Sequence, residues 1–281
     1  MSLPTTQGEK AAAFREFHRH PPTLVLVNAW DAASARIVEQ AGCRAVATSS
    51  ASLAWALGYP DGEDVGRDEV LAVVRRITRA VSVPVTVDYV SGFGRTTDDL
   101  AASIQDLIGT GAVGINLEDA THDQSKPLYT VAEQVERIRA VRAAAESTGV
   151  PLVINARTDA YHLPGVPPEQ RLDESIRRLN AYRQAGADCL LVLGVVEDAE
   201  IGRVVREARG PVNVLAGPRS PSVGRLTELG VARVSTGGGP GAAAYGLLRK
   251  VAREVLDDGT FTTIAEHGIG HGDMNRLFTE R

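Results

Sequence analysis

A (β/α)₈ barrel is the fold class this sequence predicts, and three observations predict it. Eight short, β-branched runs alternate with eight longer amphipathic ones, the order of a parallel barrel. Most of the short runs are nearly continuously apolar, as a parallel strand covered on both faces must be. Glycine precedes four of them, in Ala41-Gly42, Thr110-Gly111, Ala185-Gly186 and Leu229-Gly230, where it ends a helix in a left-handed cap. The rival is a doubly wound open sheet, but no G-x-G-x-x-G follows the first run and six strands would suffice for it.

Taken in order, strands are expected at 24–28, 44–48, 83–88, 113–117, 151–155, 188–193, 211–215 and 231–235. Helices are expected at 31–41, 67–80, 96–109, 130–148, 168–186, 197–208, 220–229 and 240–257. Asp68 and Asp98 lie near two helix starts, where a carboxylate favours the exposed amides. With no linker or low-complexity stretch, residues 1–281 read as one barrel domain with a helical tail over about 240–281.

Composition narrows the class of function. Apolar residues reach 43%, enough for a sizeable core, while aromatics are only 5%, so small side chains must pack helix against sheet closely. A net charge of −5 gives no electrostatic case for nucleic acid. Cys43 and Cys189 are far apart and beside apolar runs, so both are expected as reduced core residues. No apolar run reaches the ~20 residues of a membrane span, and the first twenty residues lack a signal-type apolar core. The expectation is a cytoplasmic protein without a membrane partner.

A barrel of this kind builds its site at the C-terminal strand ends. Those ends carry Asn28, Trp30 and Asp31, then Ser49, Ser50 and Ser52, then Asp88, then Glu118 and Asp119, then Arg157, Thr158 and Asp159. Asp61 lies in the long loop after the second strand. Carboxylates gathered in this way suit Mg²⁺, which prefers oxygen ligands and retains water. An arginine across the mouth can grip a substrate carboxylate or phosphonate with two prongs.

Simpler readings stand beside these. Asp31, Asp119 and Asp159 are expected as helix caps or salt-bridge partners, and Ser49-Ser50 reads equally as ordinary loop. Ser235 with Gly237, Gly238 and Gly239 fits a phosphate site or a tight turn into the last helix, with nothing to separate the two. His18, His20, His267 and His271 are expected at the surface. Only His122 falls in a loop facing the presumed mouth.

The segments TSSASLAWALGYPDGED, PVTVDYVSGFG, GAVGINLED and VINARTDAY resemble, in order and spacing, the strand-end motifs of the isocitrate lyase / phosphoenolpyruvate mutase superfamily. The resemblance spans roughly residues 20–245. It implies a barrel whose eighth helix is swapped between subunits of a homotetramer, or of a homodimer. It also implies cleavage or formation of C–C or P–C bonds beside a carboxylate, through an enolate stabilised by Mg²⁺, or by Mn²⁺ in its place. By the same resemblance Asp88 is the direct metal ligand, and Asp61 and Glu118 hold the metal's waters. Ser49, Ser50 and Ala51 match the loop that binds the substrate carboxylate, and Arg157 matches the arginine on the developing enolate oxygen.

Two departures bear on the reaction. Where the family carries D-x-D or D-x-E, this chain has Asp88-Tyr89-Val90, so a carboxylate of the metal shell is missing. The stretch from Glu118 to Tyr129 lacks the K-[KR]-C-G-H gate of the isocitrate and methylisocitrate lyases and the asparagine gate of the phosphonopyruvate mutases. The reading is therefore a Mg²⁺-dependent lyase or decarboxylase of a small 2-oxo or hydroxy dicarboxylate, such as oxaloacetate or a substituted malate. A retro-aldol step would need a base, for which His122, Tyr89 and Tyr161 are the nominees. The alternatives are a phosphonopyruvate-type C–P hydrolase or mutase, and a silent barrel that only binds a metabolite.

Overall fold

The ring of strands fixes where the strand-end residues named above stand. In the computed structural model, which describes residues 6–19, 21–123, 125–163 and 166–279, β1 (Leu24–Leu26) and β2 (Asn28–Ala29) precede β3 (Val46–Thr48), β4 (Val85–Asp88) and β5 (Gly114–Glu118). A hairpin of β6 (Ala120–Asp123) and β7 (Lys126–Leu128) interrupts the ring. It resumes with β8 (Val153–Thr158), β9 (Cys189–Val192), β10 (Val212–Leu215) and β11 (Arg233–Ser235). The ring pairings are all parallel, in the order β1-β11-β10-β9-β8-β5-β4-β3-β2. β1 and β2 are halves of one strand parted at Val27, one pairing with β11 and the other with β3, so the sheet closes through it. All eight expected strands are present, with ends moved by a few residues.

The helices begin with α1 (Gln7–Glu16), α2 (Ala32–Gln40), α3 (Ser50–Leu57), α4 (Arg67–Ala80), α5 (Thr97–Ile108) and α6 (Val131–Ser147). They continue with α7 (Pro168–Ala185), α8 (Asp198–Glu207), α9 (Val223–Glu228), α10 (Gly239–Arg253), α11 (Thr262–His267) and α12 (His271–Thr279). In α4 the buried Val70, Leu71, Val74 and Ile77 recur at helical spacing and face the sheet, with Asp68 and Glu69 in the first turn. A capping box between Thr96 and Asp99 starts α5. Among the described residues no helix is long and apolar enough to cross a membrane.

Strand alternation sorts the side chains. Val85, Val87, Ile115, Leu117 and Ile154 join the large core between strands and helices. Thr86, Asp88, Gly114, Asn116, Glu118, Asn155 and Arg157 take the other face and line the lumen. The lumen's lower end is closed by α1, whose wholly buried Phe14 packs with Leu24, Leu26, Ala47 and Val153. Gly114 permits that approach, because a Cβ there would lie 2.7 Å from Phe14 and 2.8 Å from Thr86 Oγ1.

Two expectations are corrected here, and one left open between two readings gains a contact. Ser49-Ser50 is no loop: Ser49 is the N-cap of α3, and its Oγ accepts from the Ser52 amide at 3.3 Å. His18 is buried at 3% exposure, its Nδ1 2.8 Å from the Phe14 carbonyl. Burial first, then the positive Arg233, pushes its pKa down to about 4. At the glycines before α10, the amides of Thr236 and Gly237 both donate to Asn28 Oδ1 at 2.9 Å, a contact that fits the turn. His20 lies outside the described residues.

Candidate active site

Asp88 ends β4, half-buried. Its Oδ2 accepts from the Ser50 amide at 3.0 Å and its Oδ1 from Asn116 Nδ2 at 3.2 Å. Glu118 ends β5 and is 3% exposed. Its register partner on β8 is Arg157, whose Nη1 donates to Glu118 Oε1 at 2.6 Å. Arg157 also donates from Nε and Nη2 to the two oxygens of Asp159, at 2.7 and 2.9 Å. Three of the guanidinium's five N–H groups are thus engaged, and two remain for another acceptor.

The charges are strongly perturbed. Burial raises the proton affinity of Glu118 well above the usual carboxylate range. The negative Asp88, Asp159 and Asp61 push the same way, and only Arg157 opposes them. For Arg157 burial works against the charge, but Glu118 and Asp159 outweigh it, so the guanidinium stays protonated. A perturbed set of this kind in a cleft is where chemistry is to be sought.

A second tier holds these groups in place. Asp119 is wholly buried and accepts four hydrogen bonds, from Thr158 Oγ1 at 2.6 Å, Tyr182 at 2.8 Å, Arg178 at 3.1 Å and the Asp159 amide at 3.0 Å. The last of these fixes the backbone that presents Asp159 to Arg157. On the other side, Glu63 accepts from Ser91 Oγ at 2.6 Å and from the amides of Ser91 and Phe93 at 3.1 and 3.3 Å. Arg137 holds the same turn through the carbonyls of Ser91 and Gly94. These contacts fold the loop after α3 over the mouth. They enclose a cavity of about 390 Å³ lined by Ser50, Asp61, Val90, Glu118, Arg157 and Asp159, with the hairpin contributing Asp123 and Pro127.

Of the residues singled out from the sequence, the fold brings Asp61, Glu118, Arg157 and Ser50 to one cavity, with Asp88 bonded to Ser50 at its edge. Ser49 caps α3, its hydroxyl accepting from the Ser52 amide and keeping its own O–H to donate. Ala51 follows Ser50 in the first turn of α3, where backbone amides have no acceptor within the helix. The side chain of His122 lies outside the described residues. Neither tyrosine suits the role of base. Tyr89 is wholly buried, its hydroxyl 2.9 Å from Ser103 Oγ on α5, and burial raises its pKa to about 12. Tyr161 donates to Glu200 at 2.8 Å; burial and that carboxylate raise its pKa to about 12. Asp31 caps α2, and Asp119 and Asp159 are the salt-bridge partners of Arg178 and Arg157, as expected; the pairing with Arg157 also brings Asp159 to the cavity. Cys189 is buried and Cys43 partly so.

The sequence reading overlooked Glu63, Asn116 and Asn155. The two asparagines carry a legible signal: each is a polar residue at an inward position of an otherwise apolar strand. Glu63 carries none, since its role depends on how a loop folds.

The phosphoenolpyruvate phosphomutase family model matches residues 14–256. The chain is 32% identical to 2-methylisocitrate lyase of Escherichia coli (strain K12) over 231 residues, covering 80% of this chain and 72% of that one. It is 33% identical to oxaloacetate decarboxylase of Bradyrhizobium sp. over 224 residues, covering 76% and 74%. Among solved structures, a phosphonopyruvate hydrolase in complex with oxalate and Mg²⁺ superposes with a TM-score of 0.84 at 25% identity, covering 95% of this chain and 94% of that one.

Proposed function

The chain belongs to the phosphoenolpyruvate phosphomutase family of lyases and mutases, and from that membership and the cavity's geometry we propose a divalent-metal-dependent lyase or decarboxylase of a small 2-oxo or hydroxy dicarboxylate. One observation carries the reading: Arg157, bonded to Glu118 and with two N–H groups to spare, lines a single small cavity together with Asp61 and Ser50.

The donor set fits Mg²⁺. Among the described residues no three Asp, Glu, His or Cys side chains stand close enough to ligate one ion directly. Mg²⁺ keeps several waters and takes one or two protein carboxylates, and Asp61 and Glu118 line the cavity with Asp88 bonded to Ser50 at its edge. Asp88 would bind it directly, with Asp61 and Glu118 holding its waters. When bound, the ion supplies Lewis-acid polarisation of the substrate's oxo group. The protein's own groups do the rest. In the first turn of α3 the Ser50 amide already holds Asp88 and the Ser52 amide meets Ser49 Oγ, which leaves the Ala51 amide, with the Ser50 hydroxyl, to bind the substrate carboxylate. The free N–H groups of Arg157 meet the negative charge that collects on the oxo oxygen as the C3 substituent leaves. Loss of CO₂ from an oxaloacetate-like substrate needs only a proton from water to finish, and the hairpin of β6 and β7 carries no cysteine to supply one.

The likeness to phosphonopyruvate hydrolase supports a second reading, C–P cleavage at the same site. The exposed Leu248, Leu256 and Phe261 along α10 to α11 support the expectation of an oligomer, homotetramer or homodimer, with α10 exchanged between subunits. A single monomeric species by light scattering would refute it. For the activity, an NMR time course with and without Mg²⁺ follows oxaloacetate, phosphonopyruvate, 2-methylisocitrate and a dialkylmalate. Pyruvate without phosphate, above the metal-only control and lost in Asp88→Ala, supports C–C cleavage; phosphate release supports the second reading. No turnover of any of the four would reject this substrate class.

A further inference from the structure

Below the carboxylates the lumen holds a polar layer that the proposed chemistry leaves unused. Asn116 on β5 and Asn155 on β8 are register partners, as are Asn213 on β10 and Arg233 on β11. Arg233 is wholly buried. Its Nη2 donates to Asn116 Oδ1 at 3.2 Å, while its Nε and Nη1 have no acceptor among the described residues. Asn155 Nδ2 donates to the same Asn116 oxygen at 2.8 Å.

Two donors converging on one oxygen leave the Asn116 amide a single orientation. Its oxygen faces Arg233 and Asn155, and its NH₂ faces Asp88 Oδ1 at 3.2 Å. Flipped, the NH₂ would meet two donors and the oxygen a carboxylate. The Ser50 amide holds the other oxygen of Asp88 at 3.0 Å. The carboxylate is therefore pinned at both oxygens, with its remaining lone pairs free for the cavity. A charged guanidinium in a lumen is costly, and this one spends its single side-chain bond on orienting Asn116.

We infer that Asn116 is a positioning residue for Asp88, and that Arg233 and Asn155 are the fixed donors that set its orientation. The inference rests on the reading of Asp88 as the ligand of a divalent ion. Groups that orient a metal ligand typically govern metal affinity by about 10- to 100-fold.

The test measures Mn²⁺ affinity by electron paramagnetic resonance of the free ion, on the full chain, in wild type, Asn116→Leu, Arg233→Lys and the double variant. Leucine is neutral and of similar size, and lysine keeps the lumen charge, so net charge is constant throughout. Asn116→Leu is expected to weaken Mn²⁺ binding about tenfold or more. Arg233→Lys is expected to weaken it alone but to add nothing in the Asn116→Leu background, since Arg233 acts through Asn116. Unchanged affinity in a cooperatively folding Asn116→Leu overturns the inference, and so do two losses that multiply. If Asn116→Leu does not fold, Asn155→Leu removes one anchor and leaves Asn116 in place. A loss of affinity is again expected, and unchanged affinity again overturns. Asp88→Asn separates the two levels. If it abolishes binding while Asn116→Leu leaves the affinity unchanged, only the positioning role fails. If it binds Mn²⁺ as wild type does, the ligand reading itself fails.

Discussion

Replacing Asp119 by asparagine strikes the buried hub that presents Asp159 to the site, and its cost can be worked from the geometry. Asp119 is wholly buried and its partner Arg178 is 9% exposed, so solvent screens the pair little. Breaking a buried pair by removing one charge typically costs about 3–5 kcal/mol. Arg178 keeps Glu174 at 2.8 Å and the Tyr129 carbonyl at 2.9 Å, which places the expectation at the lower end, about 3 kcal/mol. For a domain of this size that corresponds to a fall of roughly 6–12 °C in melting temperature. Urea unfolding followed by circular dichroism gives the free energy. Arg178→Met in the Asp119→Asn background should cost little more, because the stranded charge is removed with it. A loss under about 1 kcal/mol for Asp119→Asn would refute the argument that this buried pair escapes solvent screening.

Three further outcomes follow from single residues. The folded-state pKa of His18, about 4, lies below the unfolded value near 6.5, so its neutral form adds stability that is complete above pH 6.5. As the pH falls the unfolded chain protonates first, and on the order of 3 kcal/mol is lost by the time the folded ring titrates. His18→Gln should flatten the pH dependence of unfolding between pH 7 and 4, and parallel profiles would refute this. Val90 lines the cavity at φ 50°, strained for a β-branched residue but tolerable for aspartate. Val90→Asp should therefore tighten Mg²⁺ binding without loss of stability, as calorimetry and melting would show; weaker binding would contradict it. At Gly94 a Cβ would fall 2.4 Å from the backbone nitrogen of Leu100, so Gly94→Ala should destabilise by about 1–3 kcal/mol. A neutral melting temperature would show that the turn yields instead.

What could be read from the chain depended on whether local pattern or tertiary geometry decides each feature. Strands such as 113–117 announce themselves because both faces are buried, and a strand end fixes where Asp88, Glu118 and Arg157 must stand. α1 was overlooked although Thr6 and Glu9 form a capping box there, a signal that was present. α3 is not legible as a helix because its short apolar run, SASLAWAL, carries no clear period. The hairpin of β6 and β7 has no local pattern; Lys126 on Glu133 and, just past its end, the Tyr129 carbonyl accepting from Arg178 tie it down. Asp159 shows the limit most clearly. As a residue after a strand it resembles a cap, and only the turn held by Asp119 aims it at Arg157.

The central claim is that one cavity binds a divalent ion through Asp88 and a small oxo-acid through Arg157, each helping the other. Titration calorimetry of oxalate, an unreactive mimic of the substrate's carboxylate and oxo oxygens, tests this most directly. Oxalate should bind only with Mg²⁺ present, should tighten Mg²⁺ binding by the same factor that Mg²⁺ tightens its own, and should fail in both Asp88→Ala and Arg157→Gln. Oxalate binding that is indifferent to Mg²⁺, or that survives both substitutions, would contradict the account.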